Sequence, residues 1–243
     1  MMRAFFHQAA CGLVLLLVAA TAWAGSFQVT PVQARLSASQ PVVALTVRNT
    51  GANPAVIQLQ AMAWSQQAGK DVYAPAPDML ATPPIFSLPV GATQVIRVGS
   101  RQPPDAGGER AYRLFLREVP PAPKPGFQGL RMALQIALPV FVVSATTIAP
   151  NLHWQVAPAT AGRLRISVVN RGSAHARLAH FNLSHTGDAR ALPMPPQTVY
   201  VLAGATHEWL IEPESAVATG TPLHLTAQTD TGTLQADLVV SDP

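Results

Sequence analysis

The sequence predicts an all-β protein built as two tandem immunoglobulin-like β-sandwiches. Apolar and polar residues alternate at period two along nearly the whole chain after residue 25, with turn residues between the runs. The chain carries 23 prolines, each of which removes a backbone donor and obstructs a helical turn. No later stretch has an apolar stripe of helical spacing and length.

The elements follow in order. Val43, Leu45 and Val47 alternate with Ala44, Thr46 and Arg48 before Asn49-Thr50-Gly51 ends the run. Ile57, Leu59 and Ala61 form a second alternation, and Tyr112, Leu114 and Leu116 a third. The longest runs through Leu130, Met132, Leu134, Ile136 and Leu138, with Arg131, Ala133, Gln135 and Ala137 opposite. In the second half, Leu164, Ile166 and Val168 precede Asn170-Arg171-Gly172. Leu223 and Leu225 lead through Asp230-Thr231-Gly232 to Leu234 and Leu238, a terminal hairpin. Each half thus holds about seven short strands, the spacing of an immunoglobulin-like sandwich. The expected division is 1–24, 25–146 and 147–243, with the seam near Ser144 to Pro150. Two proline-rich stretches, Pro75 to Pro89 and Pro120 to Pro125, read as connections.

The first 24 residues read as a signal peptide. Arg3 supplies a positive charge, a Leu-rich run follows, and Ala22-Trp23-Ala24 places small residues before a cleavage point at Gly25. The run is short for a membrane span and no second one follows, so no membrane span is expected after cleavage. The export route implies a location outside the cytoplasm.

Cys11 is the only cysteine, and the expected mature chain has none, which removes disulfides, thiolate catalysis and cysteine-ligated zinc. Basic charge is concentrated in residues 25–146, with ten Lys/Arg against five Asp/Glu, but it is dispersed and does not suggest nucleic-acid binding. No Gly-x-Ser-x-Gly elbow, phosphate loop or dinucleotide fingerprint occurs, so no catalytic residue, cofactor or enzymatic activity is expected. His175, His180 and His185 recur every five residues, which suggests an exported metal-binding module as a rival function. A strand places i and i+5 on opposite faces, so the spacing builds no single metal site and the histidines read as surface or loop residues.

Residues 81–121 carry a more specific pattern. Ala81-Thr82-Pro83-Pro84, Leu88-Pro89-Val90-Gly91-Ala92 and Val95-Ile96-Arg97-Val98 are followed by Glu109-Arg110-Ala111-Tyr112-Arg113-Leu114-Phe115-Leu116-Arg117-Glu118-Val119-Pro120-Pro121. This ordered series resembles the pilus chaperones of the chaperone–usher pathway, and Val168 to Gly172 extends a weaker similarity into the second half. The resemblance implies two immunoglobulin-like domains set at an angle, a periplasmic location, and two partners, namely pilus subunits and an outer-membrane usher. A pilus subunit or adhesin is a further rival, although subunits of this pathway resemble a single incomplete sandwich.

In the family, the last strand of the first domain is donated to an incomplete subunit, a mode of β-strand addition. The positions this implies are Leu130, Met132, Leu134 and Ile136, whereas Leu138 reads as core. An apolar edge of this kind invites self-association in the free protein.

The family also holds the subunit's C-terminal carboxylate with two basic side chains. Their positions fall here on Gln33 and Pro139, and neither carries charge. Arg35, Arg113, Arg117 and Arg131 are the candidate substitutes, with Arg35 preferred because it lies two residues along the same strand. Glu109 matches a family position in an interdomain ion pair, but its basic partner falls on Val143, so the resemblance predicts no such pair here. Leu138 to Val142 and the short loop at Pro120 to Gln128 resemble the divergent archaic branch.

Overall fold

The structure, a computed structural model, describes residues 27–104, 107–121, 126, 132–144, 148–187, 191–195 and 198–242. The signal peptide, Leu130 and Arg131 lie outside them. Among the described residues seventeen strands follow in chain order. The first half contributes β1 (Phe27–Thr30), β2 (Ala34–Leu36), β3 (Val42–Asn49), β4 (Ala55–Gln67), β5 (Lys70–Pro75), β6 (Met79–Thr82), β7 (Ile85–Leu88), β8 (Thr93–Ser100), β9 (Arg110–Val119) and β10 (Gln135–Val142). The second half contributes β11 (Leu152–Pro158), β12 (Leu164–Asn170), β13 (Ala176–His185), β14 (Val199–Val201), β15 (Thr206–Ile211), β16 (Pro222–Thr229) and β17 (Gly232–Val239). A single 3₁₀ turn at Thr160–Gly162 is the only helical element among the described residues.

Each half is a sandwich. In the first, a sheet ordered β1-β3-β8-β6 packs on one ordered β2-β10-β9-β4-β5, with β7 also on β4. In the second, β11-β12-β15 faces β14-β13-β16-β17. The alternation dictates which residues meet. Leu45, Val47, Ile57, Leu59, Ile96, Val98, Leu114, Leu116, Leu138 and Val140 point into the first core. Leu164, Ile166, Val168, Leu178, Leu223 and Leu225 point into the second.

Both sandwiches repeat one polar device. Asn49, at the end of β3, donates to the carbonyls of Asn53 (2.8 Å) and Leu88 (3.0 Å) and accepts from the Gly51 N–H (2.9 Å). Asn170, at the end of β12, donates to Ala174 (2.8 Å) and Val201 (3.0 Å) and accepts from Asn151 and Gly172, each at 3.0 Å. Both amides are buried, so their partners decide whether burial is tolerated. The Asn-x-Gly runs that end two predicted strands are therefore turn clamps.

The domains are joined by more than the linker. Trp64 of β4, Phe141 of β10 and Val143 belong to the second domain's apolar cluster although they lie in the first half of the chain. Phe141 stacks on His175 at 3.6 Å between ring centroids. Two expectations are corrected at this seam. His175 is a loop residue, in the turn before β13, but not a surface one, because its side chain is 2% exposed. Glu109 does have a basic partner, namely His175, whose Nδ1 lies 2.7 Å from Oε1. The partner comes from the turn before β13 and not from the Val143 position, and so the family's spacing could not reveal it.

His207 of β15 makes stability depend on pH. Its ring meets Trp209 at 4.5 Å, and Nδ1 is buried with no hydrogen-bond partner among the described residues. Burial lowers its pKa from the ordinary 6.5, against smaller upward effects of Asp71 and Glu208. The folded state therefore prefers neutral imidazole, and the unfolded chain takes up the proton first. Stability contributed by this residue is full above about pH 6.5 and falls as the pH drops through that value to the lower folded pKa. Urea midpoints between pH 8 and pH 5 should fall less steeply for His207→Gln than for the wild type.

Candidate functional site

Two features of β10 define the site, an edge and a face. Along its whole length β10 pairs antiparallel with β9, from Gln135 opposite Arg117 to Val142 opposite Arg110. On its other side it pairs with β2 only from Val140 to Val142. Its N-terminal half therefore presents a row of backbone groups with no strand beside it among the described residues. An open edge of this kind is a template for an incoming strand.

The apolar residues along this edge grade from core to solvent. Leu138, Val140 and Val142 are buried, as expected of Leu138. Ile136 is half-buried and packs against the first core. Leu134 is 36% exposed and Met132 is 73% exposed. Among the described residues the strand begins at Gln135, so Met132 and Leu134 precede the ladder. Pro120 and Pro121 follow directly after β9 and carry no N–H, so the partner strand runs out of donors there. Just before that point Leu134 lies opposite Glu118, whose N–H donates to the Leu134 carbonyl (2.9 Å) and whose carboxylate accepts the Leu134 N–H (3.1 Å).

The odd-numbered residues of β9 and β10 lie on the sheet face opposite the first core, and at its seam end Phe141 and Ala111 pack against the second domain's apolar cluster. Pro139 pairs with Arg113, while the pairing of β2 with β10 begins one residue after Gln33 and Pro139, at Ala34 and Val140. Pro139 and Arg113 thus share one row across two strands, and Gln33 immediately precedes β2. Arg35, Phe141 and Ala111 form the next row toward the seam.

The candidate arginines differ in setting. Arg113 is 13% exposed on its side chain, with its guanidinium carbon 3.7 Å from the Trp64 ring centroid and 5.2 Å from that of Tyr200. Its Nη2 lies 4.0 Å from Asp71. Asp71 accepts from the Tyr73 hydroxyl at 3.0 Å and from Gln66 at 3.0 Å. Burial raises the Tyr73 and Tyr200 pKa values, with Arg113 opposing the shift in both, so each phenol is neutral near pH 7. Arg117 is exposed and donates through Nε to Gln135 (2.8 Å). Arg35 is exposed on β2 and lines a cleft of about 460 Å³ with Arg177, Asp230 and His175. The structure keeps the three described arginines on separate rows.

Trp64, Gln66 and Tyr200 were not legible as site residues. The available signal was Trp64 itself, a large aromatic ring on the polar face of β4 after Gln58, Gln60 and Met62. Among the described residues, no group of three or more His, Cys, Asp or Glu could hold a metal ion. His180 sits at a break in the β13 register with a φ of 50°, apart from the buried His175.

Residues 26–146 match the family model of the pili and flagellar-assembly chaperone, PapD N-terminal domain. The chain belongs to this family of pilus chaperones. It is a non-enzymatic family. No curated protein sequence is significantly similar to this one.

The chaperone shares its fold with solved structures. A chain of the CsuC–CsuE chaperone–tip adhesion subunit pre-assembly complex, from the archaic Csu pili of Acinetobacter baumannii, superposes with a TM-score of 0.65 at 20% identity, covering 90% of this chain and 99% of that one. The Salmonella enterica SafA pilin–SafB chaperone complex gives 0.61 at 20% identity over 88% and 96%. The E. coli chaperone DraB gives 0.57 at 16% identity over 89% and 98%. The all-β, two-sandwich architecture is common to all three.

Proposed function

We propose that this chaperone works in the periplasm, where it captures pilus subunits by lending them the open edge of β10 and passes them to an outer-membrane usher. The supporting observation is the half-paired β10, flanked by β9 on one side and, among the described residues, with no strand paired before Val140 on the other. A subunit strand laid there gains main-chain hydrogen bonds, and the apolar series ending in Leu134 and Met132 fixes its register. Export follows from the leader at residues 1–24, with residues 25–146 and 147–243 as the two working domains.

Arg113 is the anchor for the subunit's C-terminal carboxylate in this reading. It pairs with Pro139, one of the two positions where the family's basic pair would fall, and it is the one described candidate whose guanidinium lies over two aromatic rings. A planar, permanently charged fork suits a carboxylate better than a mobile ammonium. Arg35 lies one row away, and Arg117 is engaged by Gln135.

Replacing Leu130, Met132 and Leu134 together with aspartate tests the edge. The variant should stay folded, since Met132 and Leu134 are exposed, and should lose co-purification with a coexpressed pilus subunit. Undiminished capture by a folded variant rules out strand donation through this segment.

A further inference from the structure

We propose that the second domain completes the carboxylate anchor, with its Tyr200 and the first domain's Gln66 acting as positioning residues that hold the Arg113 guanidinium against Trp64. This rests on reading Arg113 as the anchor and adds a requirement to it, because an anchor carried by the first domain's sheet becomes competent only when the second domain is locked onto it.

The contacts form a closed circuit around one cation. Trp64 lies under the guanidinium at 3.7 Å, and Tyr200, from β14 of the second domain, stands at 5.2 Å. The two rings meet edge to face, 5.4 Å apart and at 73°. Gln66 fastens the circuit from the first domain. Its Nε2 donates to the Tyr200 carbonyl (2.8 Å) and to Asp71 (3.0 Å), and its Oε1 accepts the Leu202 N–H (3.0 Å). One side chain thus grips the backbone on both sides of Val201 and orients the acid nearest Arg113.

The Arg113 Nε is buried and donates to nothing among the described residues. Ring faces, and not a full set of hydrogen bonds, hold this guanidinium in place, and one of the two rings belongs to the other domain. Without Tyr200 the long arginine side chain regains its rotamers, and a carboxylate must pay to order them again. The charge would remain while the direction of its donors is lost.

The test uses a synthetic N-acetylated peptide of alternating valine and threonine, made once with a free α-carboxylate and once as the amide. Wild-type chaperone should bind the acid about tenfold more tightly than the amide. Arg113→Ala should abolish that preference. Tyr200→Ala and Gln66→Ala should each reduce it to less than about threefold while leaving amide binding unchanged, and Tyr200→Phe should retain it. A merely structural role would weaken acid and amide alike. If both alanine variants keep the full preference while Arg113→Ala loses it, the anchor reading survives and the positioning role is wrong. If the wild type shows no binding or no preference, or Arg113→Ala keeps the preference, the anchor itself is wrong and the proposal falls with it. Gln66→Ala removes only a half-exposed side chain, so it decides the matter even if Tyr200→Ala fails to fold.

Discussion

Arg113→Ala should weaken capture of a pilus subunit by about 10- to 100-fold, the range of a lost hydrogen bond to a charged group. The effect is large because most of the cost of burying this charge is already met in the free protein. The side chain is 13% exposed and stacked on Trp64, so a docking carboxylate meets a desolvated and oriented partner. Arg35→Ala and Arg117→Ala, at exposed positions, should each change affinity by less than about threefold. Arg113→Lys keeps the charge but loses the plane and the fork, and should fall between wild type and alanine. Titration calorimetry with a subunit whose own missing strand is supplied in exchangeable form would rank the four variants. A greater loss from Arg35→Ala than from Arg113→Ala would move the anchor to β2.

Gly172→Ala should destabilise the protein by about 3 kcal/mol or more, a severe case of overpacking against atoms that cannot rotate away. A Cβ at residue 172 would collide with the Ala149 carbonyl oxygen and would lie 2.5 Å from the Asn151 nitrogen and 2.7 Å from the Pro150 carbonyl carbon. These are backbone atoms of the interdomain linker. The same turn hydrogen-bonds that linker through Arg171 to Asn151 (2.8 Å) and Ser173 to Ala149 (3.0 Å). It also accepts the Glu109 N–H on the Ser173 carbonyl (3.0 Å), next to the His175–Glu109 pair. Moving the linker therefore disturbs the seam from two sides. Trp64, Trp154 and Trp209 all lie in or against the second apolar cluster, so tryptophan fluorescence during urea unfolding reports on this region directly. A midpoint equal to that of the wild type would mean that the linker yields without cost.

Much of the fold was legible because period-two alternation ties each strand to a face. The alternations at Val43 to Val47, Ile57 to Ala61 and Tyr112 to Leu116 became β3, β4 and β9, and the Asp230-Thr231 turn joined β16 to β17. The resemblance at residues 81–121 led to the family. Periodicity could not show where the β10 ladder starts, since that depends on where the partner strand runs out of N–H donors at Pro120. Nor could it show that Phe141, Trp64 and His175 meet, because an interdomain seam is built from residues far apart in sequence with no periodic signature. The proposed anchor was only partly legible. Pro139 marked the row, but proposing Arg113 in place of Arg35 required the cross-strand register and the Tyr200 ring from the other domain.

The open edge of β10 remains the central claim. The expected mature chain has no cysteine, so a single cysteine at Ala137 can carry a benzophenone photo-cross-linker to the half-paired strand, with Val42 on the opposite sheet as the control position. Irradiating each labelled chaperone with a pilus subunit should give a one-to-one adduct from Ala137 and almost none from Val42. Equal yields from the two positions, or none from Ala137 despite binding, would contradict strand donation by β10.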